Sequence, residues 1–281
     1  MTASVPPTSL ACSVRDCGLP LDWRERTLIC PHGHSHDVAR SGYVNLLQPQ
    51  DRRSLDAGDS KEAVKARARL LAMGVGRALV DEVVQQALAL SLPERPVVID
   101  LGSGSGDTLA ALAAARTIEG IGLDLSTAAA EYAAQRFSTL TWVVANADRR
   151  LPLLDGRVDL VLSVHGRRNP LECARIIAPM GFLLVAVPAE DDLIELREFV
   201  QGKARARERG EALLVDHAPG FALMHRSTVR QRLHLQRTAV LDLLRTTYRG
   251  GRTSERERLA ALSNLDVTLA SEVFLLASRR S

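Results

Sequence analysis

Three of the four cysteines come early in the chain, at Cys12, Cys17 and Cys30, and His32, His34 and His36 follow directly. Three thiolates and one imidazole in the order Cys-x4-Cys, a twelve-residue gap, Cys-x3-His are a common structural zinc set. The ligands on this pattern are Cys12, Cys17, Cys30 and His34, with His32 or His36 able to replace His34. A closed set of four leaves no position open for catalysis, so the ion would fold the segment and shape its surface. Residues 1–50 are otherwise short apolar pieces among turn residues, too little to hold together by a core of their own. In a reducing compartment a metal is a better staple than a disulfide. Cys173, far along the chain on a predicted helix, reads as a core residue.

A second constellation is Asp100-Leu101-Gly102-Ser103-Gly104-Ser105-Gly106, directly after the apolar run Val97-Val98-Ile99. Glycines there let the backbone turn tightly and come close to a ligand. Asp124, 18 residues past Gly106, closes the next strand, where a carboxylate can accept hydrogen bonds from ribose hydroxyls. Strand, glycine turn, helix and ribose acid together point to an adenosine-containing cofactor. The glycines alternate, whereas a dinucleotide fingerprint would space them as G-x-G-x-x-G.

The string D-L-G-x-G-x-G resembles the first motif of the class I methyltransferases, which implies S-adenosylmethionine. Asn146-Ala147-Asp148 resembles the segment whose acid reaches the adenine amino group, and Arg175 to Gly181 resembles the turn before the fifth strand. The cofactor residues so implied are Asp100, Gly102, Ser103, Gly104, Gly106, Asp124, Leu125, Asn146, Ala147, Asp148 and Ser163.

The elements that must position these groups follow from periodicity. Asp51 to Lys61 is a polar connector, and Asp59 with Glu62 suggests a capping box. Helical spacing then runs from Lys61 to Leu90, with a break at Gly74 and Gly76. From Pro96 onward, strands (97–101, 118–125, 141–148, 158–164, 182–188) alternate with helices (107–115, 126–137, 170–178). That alternation implies crossover units and a mostly parallel, doubly wound sheet. Leu265 to Ala277 alternates as an exposed or antiparallel strand. The expected architecture is α/β: a zinc module over residues 1–50, a helical connector over 51–92 and a Rossmann-like class I methyltransferase domain over 93–281.

Composition sets the outer limits. The 281 residues are 46% hydrophobic and 25% charged, the balance of a globular protein. No apolar run approaches the roughly 18 residues needed to span a bilayer. Met1 to Ala11 has neither the basic nor the long apolar region of a secretory signal, so no membrane role and a cytoplasmic location are expected. Net charge is +3, but Arg197 to Arg258 holds 14 basic against 7 acidic residues, which fits either a nucleic-acid partner or a coding bias towards Arg-rich sequence.

One resemblance joins the two constellations. Cys30 onward, through Gly42-Tyr43-Val44-Asn45-Leu46-Leu47 and Asp56-Ala57-Gly58-Asp59-Ser60, strongly resembles the RlmA family. These are 23S ribosomal RNA guanine-N1 methyltransferases, with relatives that confer resistance to tylosin-like macrolides. The resemblance covers essentially the whole chain and thins after about Leu193. It implies that residues 1–50 are a zinc-binding RNA-recognition module, with Cys12, Cys17, Cys30 and His34 as ligands, that helps bind an RNA hairpin substrate, and a homodimer whose cleft accepts the hairpin. The first cysteine pair is spaced more widely than the family's C-x2-C.

After the fourth strand the family shows an aromatic, a small residue and Pro. This chain reads His165-Gly166-Arg167 there, followed by Arg168, and a later family T-P-aromatic segment reads Thr246-Thr247-Tyr248. His165 is therefore the candidate for base contact or proton acceptance, with a passive pocket role as the alternative, and Arg167 the candidate for holding phosphate or base edge. The main reading is methyl transfer to guanine N1. The alternatives are a small-molecule methyltransferase and a non-catalytic RNA-binding relative.

Overall fold

The computed structural model describes residues 9–51, 58–201, 209–247 and 263–280. Asp56, Ala57 and Tyr248, and the basic residues Lys203, Arg205, Arg207, Arg249, Arg252, Arg256 and Arg258, lie outside the described residues. The N-terminal part contributes three short strands, β1 (Asp22–Arg24), β2 (Thr27–Ile29) and β3 (Ser35–Asp37), in one antiparallel sheet. β4 (Tyr43–Asn45) leaves that sheet and pairs parallel with β7 (Thr141–Val144) at the edge of a second, eight-stranded sheet. The other strands of the large sheet are β5 (Val97–Leu101), β6 (Glu119–Asp124), β8 (Val158–Val164), β9 (Ile177–Pro188), β10 (Phe221–Leu235) and β11 (Leu265–Ser278). Their order is β10-β11-β9-β8-β5-β6-β7-β4, with β11 antiparallel to both neighbours and the remaining pairs parallel.

Parallel strands buried on both faces carry near-continuous apolar runs, and alternate side chains here feed two cores. Ile99, Leu101, Ile121, Leu123, Val143 and Val161 face one side, where Leu10, Leu21, Leu28, Val44 and Leu46 of the N-terminal part cover them. Val98, Leu160, Leu162 and Leu184 face the other, against α2 (Arg77–Leu88), α3 (Asp107–Ala115) and α4 (Thr127–Arg136). No helix forms in residues 145–157, between β7 and β8. On that face the N-terminal part fills the layer a crossover helix would occupy. It is stitched there by the Ala11 amide to the Pro152 carbonyl (2.9 Å) and the Leu154 amide to the Ser9 carbonyl (2.9 Å).

α1 (Lys61–Ala72) and α2 are separated at Gly74 and Gly76 as the sequence implies. The α1 cap differs from the expectation: the Ser60 hydroxyl, not Asp59, accepts the Ala63 amide. The Asp59 carboxylate instead pairs with Arg67 at 3.1 Å. Sequence periodicity assigned nothing between Leu193 and Leu265. That stretch holds α6 (Ile194–Gln201), α7 (Gly210–His217), the 15-residue β10 and α8 (Arg237–Thr247). α5 (Pro170–Ile176) is capped by the Asn169 side chain, and β9 starts at Ile177, five residues before its expected start.

Candidate active site and metal centre

In a parallel sheet the ligand crevice opens where strand order reverses, beyond the strand C-termini. Here that point lies between β5 and β8, which pair directly while their crossovers run to opposite sides. The glycine turn directly follows β5, and His165 directly follows β8. Their backbones meet: a Cβ on Gly102 would lie 3.0 Å from the Gly166 Cα, and one on Gly166 only 2.3 Å from the Leu101 carbonyl oxygen. The small residue between His165 and Arg167 is thus a steric requirement of this crossing.

A cavity of about 760 Å³ opens there, and its wall includes Asp100, Gly102, Ser103, His165, Asp192 and Ser271. Asp100 is buried. Burial, then the charge of Asp124, pushes its carboxyl up to about 7. Asp124 is tied to the turn: Oδ2 accepts the Gly104 amide at 2.9 Å and Oδ1 the Ser126 amide at 2.8 Å. Burial raises its pKa as well, while those two amides oppose the rise. The buried Ser103 hydroxyl has no hydrogen-bond partner among the described residues, an orphan that a bound ligand would satisfy. Leu125 is half-buried beside Asp124, and Gly106 precedes the first turn of α3.

The other candidates make contacts that the sequence could not specify. The Asn146 Nδ2 donates to the Asp51 carbonyl (2.8 Å) and its Oδ1 accepts the Asp148 amide (2.9 Å), so Asn146 anchors the connector to the end of β7. Ala147 packs on the core. The Asp148 carboxylate is held by Arg167 at 2.6 Å, and the Arg167 side chain is 74% exposed. Arg168 turns inward, its Nε 3.3 Å from the His217 Nε2. Ser163 is fully buried, and its hydroxyl contacts the Gly166 carbonyl at 3.5 Å, bracing the β8 loop. His165 has a left-handed backbone (φ 53°) and its Nε2 lies 2.9 Å from the Ser271 hydroxyl. His165 lines the cavity and is an exposed residue of its wall. Burial, then Arg67 and Arg209, pushes its pKa down to about 4, so it is neutral near pH 7.

Arg67, Ser126 and Asp192 were missed by sequence reasoning. A Cβ on Gly58 (φ +96°) would lie 2.6 Å from the Ser126 backbone, and the Ser126 hydroxyl donates to the Asp59 carbonyl at 2.6 Å. The G-D-S part of the family string therefore clamps onto the end of β6, and Asp59 aims Arg67 across the glycine turn, 3.5 Å from where a Gly104 Cβ would stand. The available signal was the run of charged and turn residues leading into a strong helix. Thr246 and Thr247 line the cavity, but both hydroxyls donate to the Leu243 carbonyl (2.8 Å each). The basic stretch is partly neutralised locally: Arg226 pairs with Glu211 and Glu272, Arg230 with Asp191, and Arg245 with Asp242.

In the N-terminal part, the sulfurs of Cys12, Cys17 and Cys30 and the Nδ1 of His34 lie within 4.8 Å of one another. Zn–S bonds of about 2.3 Å and Zn–N bonds of about 2.0 Å in a tetrahedron put sulfur–sulfur edges near 3.8 Å and sulfur–nitrogen edges near 3.5 Å. The edges found are 3.8 Å for Cys17–Cys30 and 3.5 Å from His34 to each of Cys12 and Cys30. The donor set fits zinc. His32 and His36 flank it at 3.7 Å from Cys17 and Cys12 respectively. Burial pushes the Cys12 thiol up to about 12. Cys173 is fully buried away from this site.

Comparison with known proteins accords with both halves. A family profile described as "RlmA, N-terminal" matches residues 11–55, and one described as "Methyltransferase domain" matches residues 98–181. A Streptomyces fradiae protein named 23S rRNA (guanine(748)-N(1))-methyltransferase is 37% identical over 229 residues, covering 80% of each chain. A Micromonospora griseorubida protein assigned as a 23S rRNA guanine-N1 methyltransferase is 36% identical over 255 residues, covering 84% of each. Among solved structures, a Bacillus halodurans protein assigned as a methyltransferase superposes with a TM-score of 0.53 at 15% identity, over 72% of this chain and 99% of that one. With the zinc-ligand cluster, the glycine turn and relatives of this identity and coverage, the chain belongs to the RlmA family of 23S rRNA guanine-N1 methyltransferases.

Proposed function

We propose that this protein transfers a methyl group from S-adenosylmethionine to N1 of a guanine in a 23S rRNA hairpin, acting as a cytoplasmic homodimer. The observation that carries the reading is the conjunction, in one cavity wall, of the glycine turn with its buried acid and the β8-end loop that faces it. When bound, the cofactor supplies an electrophilic methyl on a sulfonium centre. Asp100, the unpartnered Ser103 hydroxyl and the Gly102–Gly106 turn fit a cationic, adenosine-bearing group. Asp124 with Leu125 and Asn146-Ala147-Asp148 are the proposed adenosine end of the site, and Ser163 holds the β8 loop behind it.

The chain's contribution is positioning and exclusion of water. His165 presents a neutral ring to the incoming base, and its second nitrogen is anchored by Ser271. Arg167, exposed and tethered by Asp148, is placed to meet RNA phosphate at the rim. No helix among the described residues is long and apolar enough to cross a membrane. The homodimer and the macrolide-resistance role rest on the family resemblance.

The reading is tested by incubating the purified protein with labelled S-adenosylmethionine and unmodified 23S rRNA, then identifying labelled nucleosides by mass. Label in 1-methylguanosine is expected. Label only in small metabolites would replace the RNA reading with a small-molecule one. RNA binding with no transfer to either would leave a non-catalytic RNA-binding protein.

A further inference from the structure

The cavity holds a second acid that no motif singles out. Asp192, shortly after β9, faces the same space as His165, Ser271 and the Gly102 turn. Its Oδ1 accepts the Ala270 amide at 2.9 Å, and the next residue on β11, Ser271, holds the His165 Nε2 at 2.9 Å. Two adjacent positions of one strand thus fix both side chains at the cavity wall. No hydrogen bond among the described residues occupies the Asp192 Oδ2. The charged groups around it are Arg197 of α6, Arg209 ahead of α7 and Asp191 beside it, with His165, Arg67, Asp100 and Asp107 elsewhere on the cavity wall. Asp191 is itself engaged by Arg230.

Guanine N1 carries a proton at neutral pH, so N1 methylation must dispose of it. His165 is less suited: its Nε2 is engaged by the Ser271 hydroxyl at 2.9 Å, and desolvation, then Arg67 and Arg209, lowers its pKa. Asp192 is better matched. Burial pushes its carboxyl up to about 6, against the opposing pull of the Ala270 amide and of Arg197 and Arg209. Such a group is ionised at neutral pH yet binds a proton more tightly than an ordinary carboxylate.

We propose that Asp192, and not His165, accepts the N1 proton of the target guanine. The proton moves from N1 to the open carboxylate oxygen, and the electron pair left on N1 forms the bond to the methyl carbon as the methyl–sulfur bond breaks. The products are 1-methylguanosine, S-adenosylhomocysteine and a protonated Asp192, which returns its proton to solvent. His165 then positions the base through its free ring nitrogen. The assignment rests on the guanine-N1 reading above.

The test is Asp192→Asn in the full-length, zinc-loaded protein, read by single-turnover methylation, RNA affinity and S-adenosylhomocysteine affinity. The expected result is a rate loss of at least about 100-fold at neutral pH, with both affinities within about threefold of wild type. Raising the pH towards the point where guanine N1 ionises unaided should restore the variant's rate. A rate near wild type, or a loss that alkaline pH leaves untouched, overturns the assignment. Should the variant fail to bind cofactor, the wild-type single-turnover profile at saturating S-adenosylmethionine decides, since Asp100, near 7, then no longer acts through cofactor binding: a rate that climbs through about pH 6 and then levels supports the assignment, and a flat profile there overturns it. Wild-type protein that makes no 1-methylguanosine overturns the guanine reading and this proposal together, whereas an active wild type with an equally active variant overturns the proposal alone.

Discussion

A Cβ at Gly166 would sit 2.3 Å from the Leu101 carbonyl oxygen, where the glycine turn and the β8 loop cross backbone to backbone. Neither backbone can yield without moving a strand end. Gly166→Ala is therefore expected to cost about 1–3 kcal/mol as overpacking and to weaken cofactor binding; a melt and a cofactor titration indistinguishable from wild type would contradict this. Asp100 gives a pH signature. Its carboxyl lies near 3.8 when unperturbed and near 7 in the fold. Between those values the folded chain holds a proton the unfolded chain has lost, so this group's contribution falls as pH rises through the window and is fully lost above it. The effect is on the order of a few kcal/mol. Asp100→Asn should remove the decline, gaining on wild type between pH 4 and pH 8 in denaturant titrations; parallel pH dependences would count against it. The glycine turn and Asp124 were legible because a tight turn before a helix is a local demand. Arg67 and Asp192 were not, because their roles come from neighbours far away in sequence.

α1, α6 and α8 roof the cavity through one apolar cluster that includes Leu70, Leu196, Val240 and Leu243. Leu196 is fully buried there. Leu196→Ala should destabilise the protein by about 2–5 kcal/mol through the cavity it leaves and slow methylation by loosening the roof; a thermal melt with an unchanged midpoint would refute the packing role. Arg69 bridges the same layer, its guanidinium bidentate on Asp242 of α8 at 2.8 Å for each bond. This half of the roof was not legible. In β10, Thr228, Arg230, Arg232 and His234 face outward while Val229, Gln231 and Leu233 face inward, an alternation present in the sequence. Its arginines form part of a basic stretch in the sequence, and the carboxylates that pair with Arg226 and Arg230 come from α7, β11 and the loop after β9. The strands from β5 to β8, by contrast, were legible because burial on both faces leaves continuous apolar runs.

At the scale of the molecule, the zinc-ligand segment is a layer of the fold. Leu10, Leu28 and Cys30 share a core with Leu123 and Val161 of the large sheet, and β4 extends that sheet. The cysteine spacing told of the metal site but not of this union, since no local pattern records which face of a distant sheet is left bare. Chelating the zinc should therefore lower the midpoint of a single unfolding transition; a separate early transition with the main melt unmoved would argue for an independent module. The central claim, methylation of guanine N1 in 23S rRNA, meets its most direct test in reverse transcription across the rRNA after reaction with the purified protein. A methyl on N1 blocks Watson–Crick pairing. The account predicts a new stop at one hairpin guanine that needs S-adenosylmethionine and coincides with 1-methylguanosine by mass. Full read-through on rRNA that the protein binds, with cofactor present, would contradict it.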